Sequence, residues 1–144
     1  MEQIIFPSPL TKGDKIAIIS PASHILPDYV DGACNAITQM GFQPVVSNHC
    51  KGQHGGYSGT IEQRLADFLE ALHNPEVKAI LCSRGGYGVV HLLEYLSADD
   101  IAENAKWLIG FSDISALHAA MVASGVASIH ASMAKHLTQF GVDD

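Results

Sequence analysis

The chain has 144 residues, 47% hydrophobic and 16% charged, the size and composition of one globular domain with a sizeable core. Its 15 acids against 8 Lys plus Arg give a net charge of -7 without a basic run, which excludes the electrostatic footprint of a nucleic-acid or anionic membrane surface. There is no signal-like or membrane-length apolar stretch, and Cys34, Cys50 and Cys82 are odd in number and scattered, so a cytoplasmic protein with reduced thiols, no nucleic-acid partner and no membrane partner is expected.

The first strand-length apolar run is 15–20, ending in Ser20-Pro21-Ala22-Ser23. Val30, Ala33, Cys34 and Ile37 follow at helical spacing, with Asp28 placed to cap the start and Gly41 to close the end. A second strand is predicted over 44–47. The loop 48–59 holds Gly52, Gly55, Gly56 and Gly59 and is expected to be the mobile element. Thr60 and Gln63 have capping-box spacing, and Ile61, Leu65, Phe68, Leu69 and Leu72 form one apolar stripe that Asn74-Pro75 stops. The third strand is predicted over 77–82 and leads into Ser83-Arg84-Gly85-Gly86-Tyr87-Gly88. A helix starting near Gly86 carries Val89, Leu92, Leu93 and Leu96, and Ser97 opens a short acidic segment, 99–103. The fourth strand, 106–109, runs into Gly110-Phe111-Ser112-Asp113. A helix begins just after Ser112, with Ile114, Leu117, Met121 and Val122 inward and Gly125 at its end. Ala127-Ser128-Ile129 reads as a short fifth strand.

This alternation predicts βαβ units in an α/β fold, a three-layer sandwich around a mainly parallel sheet. Residues 1–144 read as a single domain without an internal linker. Ligands of such sheets bind beyond the carboxyl ends of the strands, where 20–23, 83–88 and 110–113 fall.

Ser112 carries the chemistry. A strand that turns sharply into a helix exposes a serine hydroxyl and aims the first free helix amides at one point, where they stabilise the oxyanion of a tetrahedral intermediate. The Asp113 amide is the natural donor, and the bare glycine backbone of 83–88 supplies a candidate second. Ile114 stands where the general Gly-x-Ser-x-Gly elbow has its last glycine, and the plainer reading is that Ser112 or Asp113 caps the helix. Gly85-Gly86 also fits a simple tight turn or an anion site. It matches neither Gly-x-Gly-x-x-Gly nor a Walker loop, which disfavours nucleotide binding. Arg84, one of two arginines, suits a substrate carboxylate or a structural ion pair.

A nucleophilic serine needs a base and an orienting group, and no histidine offers itself. His118 falls away from the face of Ser112 and is expected to cover the sheet or meet solvent. His91 is placed on an exposed helix face, and His130 and His136 approach only through a fold-back. His49, Cys50 and His54 are spaced loosely like metal ligands but lack a second pair, so no metal site is expected.

Several motifs together resemble a known family. They are Gly13-Asp14-Lys15-Ile16-Ala17, Ser20-Pro21-Ala22-Ser23, Thr60-x-x-Gln63-Arg64-x-x-Asp67, Asn74-Pro75-Glu76-Val77, Arg84-Gly85-Gly86-Tyr87-Gly88 and Ile109-Gly110-Phe111-Ser112-Asp113. In this order and spacing they resemble the N-terminal domain of LD-carboxypeptidases, the serine peptidase family of muramoyltetrapeptide carboxypeptidases and microcin C immunity proteins. The resemblance implies a flavodoxin-like, nucleophile-bearing domain and a hydrolase that needs no cofactor. Such an enzyme removes the terminal D-residue from cytoplasmic murein tetrapeptides during peptidoglycan recycling. It implies Ser112 as nucleophile, Asp113 and Gly86 as oxyanion-hole donors, and Arg84 and Gly85 as substrate-binding residues. The family's triad Glu and His belong to a C-terminal domain absent from this sequence, so the chain alone is expected to be inactive. A possible homodimer is implied as well. Ile129-His130-Ala131-Ser132-Met133 departs from the family's His-Gly-Pro-Met and leaves His130 without a role. The alternatives are a microcin C immunity-type hydrolase of peptidyl or aminoacyl nucleotides, and a murein-peptide binding module without chemistry.

Overall fold

The computed structural model describes residues 3–140. Five strands, β1 (Lys15–Ile19), β2 (Gln43–Val46), β3 (Val77–Cys82), β4 (Trp107–Gly110) and β5 (Ile129–His130), form one sheet in the order β2-β1-β3-β4-β5. Every neighbouring pair is parallel, as predicted. The helices α1 (Pro27–Gln39), α2 (Ile61–His73), α3 (Ala98–Glu103), α4 (Ser115–Ala123) and α5 (Ala134–Phe140) connect and flank the strands.

Strand alternation sorts the core onto two faces. Ile16 and Ile18 of β1, with Ala79 and Leu81 of β3, pack with Val30, Ala33 and Ile37 of α1 and Ala134 of α5. Ala17 and Ile19, with Ile80 and Cys82, pack with Phe68 and Leu72 of α2 and Leu117 and Met121 of α4. The sheet is thus buried on both sides, which is why its strands read as near-continuous apolar runs.

Local signals explain most helix ends. Pro27 occupies the first turn of α1, so Asp28 lies inside that turn and the cap position falls to Leu26, which makes no side-chain cap. At the other end Gly41 has φ 92°, its amide reaches Thr38 O at 3.0 Å and the Phe42 amide reaches Ile37 O at 3.1 Å, a Schellman closure. The Thr60–Gln63 capping box is formed in both directions.

Three local expectations are corrected, and the glycine-rich loop takes a defined course. The segment after Gly88 is a 3₁₀ helix, Val89–Tyr95, and the regular helix is the acidic stretch that Ser97 caps through the Asp100 amide. Val122 is 66% exposed, on the outer face of α4. The fifth strand sits one or two residues later than Ala127-Ser128-Ile129, at Ile129–His130. The glycine-rich loop 48–59 is tied down. The Ser58 amide donates to Ala22 O at 3.1 Å and its hydroxyl to Ser20 O. Asp67, 4% exposed, accepts the His49 amide at 2.9 Å and faces His49 Nδ1 at 2.8 Å. Gly55, at φ 61°, supplies a tight turn within this loop.

Among the described residues no helix is long and apolar enough to cross a membrane. The three cysteines are free thiols, as expected, with Cys50 and Cys82 buried and Cys34 partly so.

Candidate active site

β4 ends at Gly110, and Phe111 follows in extended conformation. Ser112 then adopts φ 62°, making it the one non-glycine residue with positive φ among the described residues. A left-handed backbone costs a residue with a side chain about 1–2 kcal/mol, and such strain recurs at functional sites. The chain continues directly through a 3₁₀ turn, Ser112–Ile114, into α4. Gly110 makes the turn compact, since a Cβ there would stand 2.9 Å from Ile114 Cγ2. Ser112 is exposed while Ile114 beneath it is buried. The helix-cap reading therefore fails for both residues. Ser112 does not have cap geometry, and the Asp113 carboxylate turns away to accept the Val89 amide at 3.0 Å.

The glycine segment after β3 closes over this turn. A Cβ on Gly85 would meet Ser112 Cβ at 3.1 Å, Ser112 Oγ at 3.2 Å and Asp113 N at 3.3 Å, so only a bare backbone fits comfortably beside the hydroxyl. Gly86, at φ 99°, faces the segment after β1, and a Cβ there would run into Ser23 Oγ at 1.9 Å. Ser23 stitches the two segments together. Its amide donates to Gly85 O at 3.2 Å and its hydroxyl accepts from the Tyr87 amide at 3.2 Å. The three strand-end stretches named from sequence thus converge.

Arg84 is half-buried, and its Nη1 reaches His24 O at 3.4 Å. Among the described residues it has no carboxylate partner, so the structural ion pair is not formed. The more deeply buried arginine is the other one. Arg64, 2% exposed, donates from Nε to Gly59 O at 3.0 Å and from Nη1 to Pro21 O at 3.1 Å and Gly88 O at 2.8 Å, with its guanidinium 4.7 Å from the Tyr57 ring centre. Burial lowers its pKa from the ordinary arginine value, and hydrogen bonds to three carbonyls compensate for that desolvation. Sequence reasoning assigned Arg64 no role, yet a signal was present. It lies three residues after Ile61 and four before Phe68, on the apolar stripe of α2.

Of the histidines considered above, His91 departs from expectation. His91 is not on an open face: its Nδ1 is buried without a hydrogen-bond partner, and its ring meets Tyr57 and Tyr87 edge-on. His130 and His136 do fold back, to ring-centre distances of 5.9 and 5.1 Å from Phe111, the neighbour of Ser112. His118 covers the end of the sheet. Its Nε2 lies 2.8 Å from Gly110 O, and its Nδ1 contacts Ser128 Oγ. His49, Cys50 and His54 do not come together as ligands: His49 pairs with Asp67 and Cys50 with Ser20. Among the described residues no three metal-ligating side chains cluster.

A cleft of about 440 Å³, lined by Tyr57, Gly59, Thr60, Arg64 and His91 among others, leaves Ser112 outside it. Ser112 is exposed beside the glycine segment.

A parallel α/β sandwich with a positive-φ serine between a strand and a helix, beside a glycine-rich segment, defines by geometry the class of α/β domains with a strand–serine–helix elbow. Sequence comparison makes this specific. Residues 16–131 match the LD-carboxypeptidase N-terminal domain, and the chain belongs to that family. A "Probable murein peptide carboxypeptidase" of Bacillus subtilis (strain 168) is 35% identical over 96% of this chain and 43% of its own length. Among solved structures, an MccF-like protein from Bacillus anthracis str. Ames superposes with TM-score 0.84 at 34% identity, over 93% of this chain and 42% of that one. Microcin C7 self immunity protein MccF in complex with aspartyl sulfamoyl adenosine superposes with TM-score 0.80 at 27% identity, over 88% and 38%. The chain thus spans about two fifths of the length of these relatives. Against the expectation of no nucleic-acid partner, this last relative is in complex with an adenosine-containing ligand.

Proposed function

We propose that Ser112 is the nucleophile of a serine LD-carboxypeptidase acting on murein peptides. The observation that carries this reading is the exposed, positive-φ Ser112 between β4 and α4 with Gly85 against its hydroxyl. Ser112 Oγ attacks the amide carbonyl before the terminal D-residue of a murein tetrapeptide. The Asp113 and Gly86 amides take the oxyanion, the amine leaves with a proton, and water releases the acyl group. Gly85 leaves room for the substrate backbone, and Arg84, without an ionic partner, receives the substrate's terminal carboxylate. No cofactor enters the reaction.

The base and its orienting group come from polypeptide beyond these 144 residues, the C-terminal domain of the family. The exposure of Ser112 supports this, because a complete site excludes water around the reacting atoms. The chain alone therefore turns over little or no substrate. In this reading the complete protein works in the cytoplasm as a homodimer, in peptidoglycan recycling.

The test joins this chain to the C-terminal portion of the Bacillus subtilis relative and follows release of the terminal D-amino acid. Turnover that Ser112→Ala lowers about 10⁴-fold or more supports the reading, and undiminished turnover by Ser112→Ala rejects it. Turnover by the 144-residue chain rivalling the joined protein rejects the divided site.

A second reading is favoured by the relative bound to aspartyl sulfamoyl adenosine: the same Ser112 cleaving an aminoacyl or peptidyl nucleotide. Offering both substrate classes to the joined protein separates the two. A binding module would retain ligand affinity while showing no Ser112-dependent turnover of either.

A further inference from the structure

We propose that His118 is a positioning residue for Ser112, acting through the carbonyl of Gly110. The catalytic meaning of this role rests on the reading of Ser112 as nucleophile; the role itself rests on geometry alone.

The strained turn at Ser112 needs fixed ends, because a left-handed serine relaxes whenever its neighbours allow. On its far side the turn is held by α4. On its near side Phe111 packs against the core, and the strand itself ends at Gly110, which has no side chain with which to be held. Its Cα is already pressed against Ile114, with no room for a Cβ. The carbonyl is the remaining handle, and it accepts twice, from the Ala131 amide at 3.2 Å and from His118 Nε2 at 2.8 Å. The carbonyl has no proton, so Nε2 must carry one. Nδ1 meets Ser128 Oγ, which lies 3.3 Å from Leu108 O. One imidazole therefore joins α4, the end of β4 and the approach to β5, six residues from the turn that it braces. A purely apolar residue here would fill the space but leave the Gly110 carbonyl to the Ala131 amide alone. His130, with its ring centre 5.9 Å from that of His118, packs beside it.

The effect on Ser112 is conformational and is read without turnover. In the 144-residue chain at pH 8, a long-range ¹H–¹⁵N spectrum of His118 should show the Nε2–H tautomer; the Nδ1–H tautomer overturns the proposal. In His118→Leu, the amides of Ile114 and Ser115, which bond back to Phe111 O and Ser112 O, should exchange with solvent about fivefold to tenfold faster, the loss expected for one hydrogen bond. The backbone coupling of Ser112 should move away from its positive-φ value. His118→Gln, whose amide retains a donor for Gly110 O, should restore both. A folded His118→Leu protein with unchanged Ser112 coupling and unchanged exchange removes the positioning role. Failure of Ser112 as a nucleophile would appear only in turnover of the joined protein and would leave these spectra unaltered.

Discussion

The Asp113 carboxylate accepts the Val89 amide at 3.0 Å, so the residue that follows Ser112 also holds the end of the glycine segment lying over it. Asp113→Ala leaves that amide without its partner and should cost about 1–3 kcal/mol, with faster amide exchange at Val89. Asp113→Asn keeps an acceptor and should lose less. Urea unfolding combined with exchange at Val89 checks both.

Ser112→Gly should stabilise the fold by about 1 kcal/mol, because glycine adopts positive φ without a Cβ penalty. For a chain of this size that is a rise in Tm of about 3 °C. Ser112→Ala retains the strain and should leave Tm nearly unchanged. Thermal unfolding of the two variants side by side tests whether the strain belongs to the backbone of this residue.

Gly85→Ala and Gly86→Ala should separate access from folding. At Gly85 the added methyl crowds Ser112 and Asp113 at 3.1–3.3 Å, so the fold should survive while Ser112-dependent turnover in the joined protein falls sharply. At Gly86 the methyl collides with Ser23 Oγ at 1.9 Å and φ is 99°, so unfolding should come about 2–3 kcal/mol sooner. Equal stability losses in the two variants would contradict this division.

Burial pushes the Cys50 thiol up from its ordinary 9.0 to about 11, and Cys82, fully buried, upward also. A thiol that holds its proton more tightly when folded stabilises the protein below pH 9. That contribution falls away as pH rises from 9 through about 11, by up to about 1.4 kcal/mol per pH unit for each thiol. Urea unfolding at pH 8, 9 and 10 should show the decline, and Cys50→Ala should make it shallower, leaving the part that belongs to Cys82.

Arg64→Lys should be destabilising despite the retained charge, because an ammonium cannot reproduce a planar fork directed at Gly59, Pro21 and Gly88. We expect a loss of about 3 kcal/mol, in the range for breaking a buried polar network, measured by chemical denaturation.

The sheet was legible from its apolar runs because parallel strands covered on both faces leave few polar interruptions, and the turns at Gly41, Thr60 and Ser112 carried their own chemistry. What escaped was tertiary in origin. Arg64 and Asp67 lie on the apolar stripe of α2, but their partners, Pro21, Gly88 and His49, are remote in sequence or lie in loops without periodicity. Val89, Leu92, Leu93 and Leu96 have helical spacing, yet the segment winds as 3₁₀, with its first amide tied to Asp113 across the sheet end. The rotation from Ser112 leaves His118 either covering the sheet or meeting solvent; the structure takes the first, and its partners, Gly110 O and Ser128, depend on the fifth strand being in position.

The Arg64 knot also bears on the order in which the molecule can be made. Its three oxygens come from residues 21, 59 and 88, so during synthesis the guanidinium finds its last acceptor only when Gly88 has cleared the ribosome. Until then the nascent front half carries a solvent-seeking cation at the centre of its crossover. The corner that supports Ser112 therefore cannot be completed on the front half of the chain alone.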